Sequence, residues 1–592
     1  MTAAPDQTVA PDQPAAPAQT PADVVTVGQY LARRLIELGG PHVFGLPGDF
    51  NLTLLDEMLT VPGLEWVGTT NELNAAYAAD AYARTSRGVA AIVTTYGVGE
   101  LSAINGIAGS FAEDVPVVQI AGMPTTTART NGALSHHTLV DGDYDHFFRA
   151  YKEVTVAGAI LRAADATRDI DRVLRAALDE SKPVYLGIPM DIAASPVSSA
   201  PLRHPLRATP SDPVALDDFR RALAEAVAGA GRHPITILAG PRIHRRRAEA
   251  TLERLADHAG VRVATQASAK SMLPETHPAS LGIYMGQMTP SPETRAAVDG
   301  APLVILAGTV LSDVLTGFYS MGFDVDTAVE LGVSSARVGA VTFHDVRLED
   351  SLRAVEELVS TLDRGPAGAV TPRYPYRPDQ GGAPAPAPSA DEQGDSPLTQ
   401  HELWTIVQEW LPTDSIAIAD AGTAMYGALE LQMPEGTDLL AQPIWSSIGY
   451  TLPATLGTSL ASERRSVLFI GDGAAQLTAT ELATILHRGL TPIIVLINND
   501  GYTIERVIQS PRAVYQGITR WDWQALPAAL APGVDVVTAS ATTAQELRDA
   551  LTAAAEAADR AVLIQAYLDP DDAPPLLAAL GAIAGGGVPP KR

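Results

Sequence analysis

The chain is predicted to be an α/β protein of three units, each with a central, mainly parallel sheet flanked by helices. Three observations predict it. At 592 residues the chain exceeds what one hydrophobic core holds, so length favours several domains. Short apolar runs alternate with helix-length, Ala/Leu-rich segments, the pattern of parallel strands joined by covering helices. A Pro-, Ala- and Gly-rich stretch, "RGPAGAVTPRYPYRPDQGGAPAPAPSADEQGDS", interrupts that alternation with a composition that cannot build a core.

The elements follow in order. Residues 1–23 lack both a charged n-region and an apolar h-region, so they are no secretory signal and read as the disordered tail of a cytoplasmic protein. The first unit, 24–200, alternates "EWVGTT" with "NELNAAYAADAYAR" and "VAAIVTTYG" with "ELSAINGIAGSFAE", then continues through "VPVVQIAG" to "KPVYLGIPMDIAA". The second, 201–363, contains "HPITILAG", "GVRVATQ", "APLVILAG" and "ARVGAVTF" as strands. The linker is assigned to 364–397. The third unit, 398–592, opens with capping-box spacing at Thr399 and Glu402 before the amphipathic "LWTIVQEWL". Its strands are "SIAIADAG", "RSVLFIGDG", "TPIIVLINND" and "AVLIQAYL".

Composition narrows the function. Acidic residues outnumber basic ones by 68 to 41, a formal charge of -27, which opposes a nucleic-acid partner because phosphate binding needs a positive footprint. No apolar run approaches the roughly 18 residues of a membrane helix. The absence of cysteine removes thiolate nucleophiles and Cys-based metal sites. Chemistry must come from carboxylates, histidines or a cofactor acting on a small molecule.

Two strand ends carry that chemistry. "VLFIGDG" runs a strand into Gly471, Asp472 and Gly473, and "VLINNDG" runs the next into Asn499 and Gly501. In an open parallel sheet ligands gather beyond the carboxyl ends of the strands, so Asp472 and Asn499 are expected at one site. Either motif alone is as readily a simple turn; the pair, 27 residues apart, is not. A carboxylate, an amide oxygen and a backbone carbonyl suit a hard divalent cation bridging a diphosphate, Mg²⁺ rather than zinc. A helix placed near "QLTATELATILHRG" offers free N–H groups to an anion.

These residues resemble the thiamine diphosphate signature, and "IWSSIGYTLPA", "GDGAAQLTATEL" and "NNDGYTIER" resemble the 2-keto acid decarboxylases, a family that includes pyruvate, indolepyruvate, phenylpyruvate and branched-chain keto acid decarboxylases. The likeness runs from about Val24 to Ala584. It implies the thiamine diphosphate-binding fold, thiamine diphosphate and Mg²⁺ as cofactors, Asp472, Asn499 and Gly501 as metal ligands, and release of CO₂ and an aldehyde from a 2-keto acid. It further implies that Glu72, in "TTNELNAAYAADAYAR", shares a proton with the cofactor's pyrimidine N1′. Asp49 in "FGLPGDFN", His136 and His137 in "GALSHHTL", and Glu505 in "GYTIER" match the family's proton-transfer set; outside that context they would read as a turn, a surface loop or an adventitious metal site. Ile448 matches the wedge that bends the cofactor into a V. Ser446 stands where the family usually has glycine, and its carbonyl is the expected acceptor for the cofactor's exocyclic amine.

Family pocket positions read Val314, Ala421, Met425, Tyr426, Ile504, Ile508, Leu580 and Ala584, an apolar and roomy set that favours an aromatic or branched side chain such as those of phenylpyruvate and indole-3-pyruvate. Pyruvate, and a carboligase of the acetolactate synthase type, are the alternatives. The resemblance also implies a homodimer or homotetramer with active sites at the subunit interface.

Overall fold

The computed structural model describes residues 24–362, 365 and 396–584; the predicted N-terminal tail and nearly all of the predicted linker lie outside them. Two six-stranded, wholly parallel sheets and one seven-stranded sheet form the framework, as the alternating pattern predicts. In the first sheet the spatial order is Glu65–Gly68, His42–Gly45, Ala90–Thr95, Val117–Met123, Val184–Pro189, Ala157–Ile160. In the last it is Asp438–Leu440, Ile416–Ala419, Ser466–Gly471, Ile493–Asn498, Ala561–Tyr567, Val536–Ala541. Numbered along the chain, both sheets have the order 2-1-3-4-6-5. Each therefore reverses direction between its first and third strands, and the crevice beyond their carboxyl ends is where such a sheet binds ligands.

The central sheet departs from the expected pattern at one edge. "ARVGAVTF" is two antiparallel strands, Ser335–Val338 and Val341–His344, rather than one. Gly339, at φ 56°, supplies the left-handed residue that a tight hairpin needs. The remaining ladders of this sheet are parallel up to Val329–Leu331. The edge strands Asp438–Leu440 and Val536–Ala541 were not anticipated; the first is only three residues long and the second, "VVTASA", is half-polar. The capping box at Thr399 forms as predicted, with Glu402 N–H donating to Thr399 Oγ1 and Thr399 N–H donating to Glu402 Oε2.

The first and last sheets are locked together by two helices, Glu72–Ser86 and Thr451–Ala461. Nearly every residue of the former from Asn74 to Arg84 is buried, and small side chains at Ala75, Ala76, Ala78, Ala79, Ala81 and Ala83 let the partner approach closely. A polar knot sits beside this contact. Asp80 Oδ1 accepts from Arg84 Nε at 2.6 Å and from the Tyr450 hydroxyl at 2.6 Å, and Oδ2 accepts from Ser110 Oγ at 2.8 Å. At Gly457 a Cβ would stand 2.0 Å from the Ala78 carbonyl, backbone against backbone. Gly457→Ala is accordingly expected to destabilise the protein by about 1–3 kcal/mol through overpacking, seen as a lower midpoint in denaturant unfolding; an unchanged midpoint would show that the helices do not meet here.

Candidate active site

The third sheet places its oxygen ligands without spare backbone. Strand Ser466–Gly471 passes straight into helix Asp472–Thr478, which starts four residues before the "QLTATELATILHRG" position assigned from sequence and breaks before Glu481–His487. Asp472 and Asn499 are 2% and 3% exposed. Burial pushes the Asp472 carboxyl up to about 6, and the backbone N–H groups of Gly473, Asp500 and Gly501 oppose that rise. One end of the Asn499 amide lies 2.9 Å from the Gly501 carbonyl and 3.2 Å from Asp472 Oδ1; the other lies 2.9 Å from Thr503 Oγ1.

Which end is oxygen is decided by the partners. Nitrogen toward Asp472 would satisfy the amide internally but would need Thr503 to donate to it. The Thr503 hydroxyl gives its one proton to the Pro570 carbonyl at 2.8 Å, so it is left to accept, and the amide nitrogen belongs on its side. The Asn499 oxygen then faces the Gly501 carbonyl at 2.9 Å and Asp472 Oδ1 at 3.2 Å with no hydrogen between them. Octahedral Mg²⁺ with ligands at about 2.1 Å sets adjacent oxygens about 3 Å apart, so the residues present fit that ion. Gly501, at φ 143° with its Cβ position 2.0 Å from the Gln516 carbonyl, is the residue that lets the third carbonyl turn inward. Above Gly471 a Cβ would meet nothing within 4 Å, which leaves open space for a phosphate against the strand end.

The first sheet assembles a different set. His136 Nε2 is 2.8 Å from Asp49 Oδ2 and His137 Nε2 is 3.9 Å from Asp49 Oδ1. Phe50 stacks on His136 with ring centroids 4.9 Å apart, and the two imidazoles meet edge to face at 4.6 Å. His137 is in the left-handed region at φ 62°, its carbonyl filling the space that a side chain at residue 97 would occupy. These groups are wet: the side chains of Asp49 and His136 are 47% and 62% exposed. Glu72 begins its helix, with Asn71 capping it through Asn74 N–H, and Glu72 Oε1 lies 3.1 Å from the Cβ position of Gly99. Glu505 is exposed in the first turn of Thr503–Ile508. Among the described residues no hydrogen bond or ion pair within one chain joins Glu505 to the Asp49–His136–His137 cluster.

The loop between these sets bears Ser446 and Ile448. Ser446 adopts φ 51°, the conformation that glycine takes freely, and Ser446 Oγ donates to the Pro443 carbonyl at 2.9 Å. Ile448 packs half-buried against the core shared by the first and last sheets. Sequence reasoning missed what holds this loop. Asp420, fully buried at the carboxyl end of Ile416–Ala419, accepts from Gly449 N–H, Thr451 N–H and Thr451 Oγ1; burial pushes its carboxyl up to about 6. Glu113 Oε1 accepts from the N–H groups of Ile444 and Trp445, and Glu481 Oε2 accepts from Thr70 and Asn74, beside Glu72. An aspartate at the strand end facing the switch point was the available signal for Asp420; the two glutamates gave none.

Of the pocket positions, Met425, Tyr426 and Leu580 are buried in one apolar cluster, with Ile504 and Ile508 packed against it. Val314 and Ala421 are half-buried, and Ala584 is exposed.

Comparisons with known proteins define the class to which the chain belongs. The family descriptions "Thiamine pyrophosphate enzyme, N-terminal TPP binding domain", "central domain" and "C-terminal TPP binding domain" match residues 25–143, 221–358 and 420–566, which defines the class as thiamine diphosphate enzymes. The chain is 43% identical to an alpha-keto-acid decarboxylase of Mycobacterium ulcerans over 94% of its own length and 95% of that protein. It is 42% identical to proteins of the same name from Mycobacterium avium, over 94% and 96%, and from Mycobacterium tuberculosis, over 94% and 97%. It belongs to the thiamine diphosphate-dependent 2-keto acid decarboxylase family.

Because Ser446 is held at positive φ, a β-branched residue there is expected to be far costlier than glycine. Ser446→Gly should retain cofactor affinity and turnover, whereas Ser446→Val should lose about 2 kcal/mol of stability and weaken thiamine diphosphate binding at least tenfold. Cofactor titration by activity recovery and thermal melting measures both; equal behaviour of the two variants would mean that the loop relaxes out of this conformation.

Proposed function

We propose that the protein decarboxylates a 2-keto acid to an aldehyde and CO₂ with thiamine diphosphate and Mg²⁺, preferring aromatic or branched substrates. The observation that supports it best is the pairing of two unlike sets at the switch points of two sheets of identical strand order. One is a dry trio of oxygens at Asp472, Asn499 and Gly501; the other is a wet carboxylate–imidazole cluster at Asp49, His136 and His137. The family name of the relatives supports the reaction class.

Asp472 Oδ1, Asn499 Oδ1 and the Gly501 carbonyl would hold Mg²⁺, and the open backbone at Gly471 would admit the diphosphate. Thiamine diphosphate supplies the electron sink that lets the substrate's carboxylate leave. Glu72 holds a proton on its carboxyl for the cofactor's pyrimidine. Asp49 orients His136 through Nε2, so that the opposite nitrogen, Nδ1, is free to take up or deliver the proton that converts the decarboxylated carbon to an aldehyde. Glu505 adds a carboxyl on the side of the third sheet. Met425, Tyr426, Leu580, Ile504 and Ile508 offer an apolar surface for the substrate side chain, which discriminates among apolar groups by only about 1–3 kcal/mol per methylene; overlapping aromatic and branched-chain activity follows.

The spans 24–200, 201–363 and 398–592 are proposed as the pyrimidine-binding, central and diphosphate-binding domains, and a homodimer or homotetramer as the active form. The exposure of the Asp49 cluster supports a site completed by a second copy. No described helix is long and apolar enough to cross a membrane, and a cytoplasmic location is proposed with the rest.

Purified protein should release aldehyde from phenylpyruvate or indole-3-pyruvate faster than from 3-methyl-2-oxobutanoate or pyruvate. Release should require both thiamine diphosphate and Mg²⁺, stop on chelation, and fall about 10²–10⁴-fold in Glu72→Gln. Pyruvate fastest would sink the pocket assignment alone. Acetolactate-type products in place of aldehyde would overturn the decarboxylase reading.

A further inference from the structure

Where the three units meet, a partly open cavity of about 60 Å³ is lined by Arg84 from the first, Arg245 and Ser268 from the central, and Leu439 to Ala441 from the last. Its charge is out of character for a chain of net charge -27. Two of its cations are neutralised locally: Lys270 by Glu275, and Arg464 by Asp438 at 2.6 Å. Arg84 is paired with Asp80. Arg245 has no such partner. Among the described residues no carboxylate comes within ion-pair distance of it, and the one hydrogen bond of its guanidinium is to His244 Nδ1 at 3.2 Å. Burial and the neighbouring Arg84 push its guanidinium down to about 10, while Asp80, Glu113 and the Tyr450 hydroxyl, beyond ion-pair distance, oppose that fall without cancelling it.

Three buried donors lining the cavity lack acceptors: Arg84 Nη2, Arg245 Nε and Ser268 Oγ. Arginine keeps its proton, so a buried and unpaired guanidinium is costly unless an anion sits against it. We propose that this cavity is a binding site for one compact oxyanion, a phosphate or a short carboxylate, held between Arg245, Arg84 and Ser268 and bridging the three units. Its size selects the class. A water occupies roughly 10–15 Å³ on this measure, so the space takes about four or five heavy atoms and excludes a nucleotide or an aromatic acid. A larger groove of about 580 Å³ shares Arg84, His244 and Arg245 with it and adds Arg87, Arg207 and Arg247, which would concentrate anions at the entrance.

The site is independent of the catalytic reading, and its test uses no turnover. Protein loaded with thiamine diphosphate and Mg²⁺ would be melted against inorganic phosphate, acetate and chloride at matched ionic strength. Phosphate, acetate or both should raise the midpoint saturably by about 1–3 °C, while chloride gives no saturating response; which oxyanion saturates at lower concentration tells a tetrahedral dianion from a carboxylate. The rise should vanish in Arg245→Gln, return in part in Arg245→Lys, and persist in Arg247→Gln, whose arginine is exposed on the same segment. Without oxyanion, Arg245→Gln should be no less stable than the parent. An equal rise in Arg245→Gln, no saturable rise in the parent, or a marked loss of stability in anion-free Arg245→Gln would each overturn the proposal, the last by showing a structural strut.

Discussion

Everything functional in this molecule is referenced to one contact, that of helix Glu72–Ser86 with helix Thr451–Ala461. The alanines of the first and Gly457 of the second bring two backbones together, and Asp80 closes the contact by accepting from Arg84, Tyr450 and Ser110 at once. Asp80 and Arg84 are an ion pair inside the protein, and such a pair is tolerable only when its remaining hydrogen-bonding capacity is met. Tyr450 and Ser110 meet it for the carboxylate. For the guanidinium, Nη1 reaches the Ala441 carbonyl and Nη2 has no acceptor. The same helix therefore begins at Glu72, beside the cofactor chemistry, and ends at a donor facing the junction of the three units.

That contact also explains why the loop bearing Ser446 and Ile448 can hold an unfavourable conformation. A serine at φ 51° costs on the order of 1 kcal/mol or more and persists only if its surroundings over-determine it. They do so from both sides: Glu113 of the first unit grips Ile444 and Trp445, and Asp420 of the third grips Gly449 and Thr451. Tyr77, on the shared helix, bonds Ser447 at 2.6 Å. A strained segment clamped at both ends by buried carboxylates is pre-organised to present one backbone carbonyl in one direction, which suits a group that must be held rather than found.

The fold class was legible because strands and helices of a parallel α/β sheet announce themselves by alternation, and the central strands here are continuous apolar runs. Of the edges, Glu65–Gly68 was legible in "EWVGTT" but Asp438–Leu440 and Val536–Ala541 were not, since an edge needs no second apolar face and three residues carry no period. Site residues divide in the same way. Asp472, Asn499 and Glu72 stand at strand ends or helix starts, and the His136–His137 pair in the loop between Thr126–Thr130 and His146–Tyr151, where local sequence marks a turn. Glu113 and Glu481 act across the contact between units, at separations of 331 to 411 residues from their partners, and nothing local distinguishes them from ordinary surface carboxylates; Asp420 grips a loop of its own unit 29 residues on, and only its place at a strand end marks it. Arg245 was hidden for a related reason: within "RIHRRR" it reads as one of several solvated arginines, and only the packing of three units shows that among the described residues no carboxylate stands within ion-pair distance of it.

The two halves of the proposed active site differ in their water, and the difference fits what each must do. A metal ligand set has to be dry and pre-shaped, because Mg²⁺ gives up water reluctantly and accepts only near-octahedral oxygen placement; Asp472 and Asn499 are buried and fixed by Gly473, Thr503 and the turn at Gly501. A proton-transfer set has to exchange protons with its surroundings and with substrate, and Asp49 and His136 are open to solvent. Such openness is poorly suited to protecting a reactive carbon from side reactions, since electrostatic control weakens as water enters. In the oligomer proposed above, a second copy covering the Asp49 cluster would remove that water. Burial thus divides the two sets by task, a dry one shaped to hold a cation and a wet one able to exchange protons.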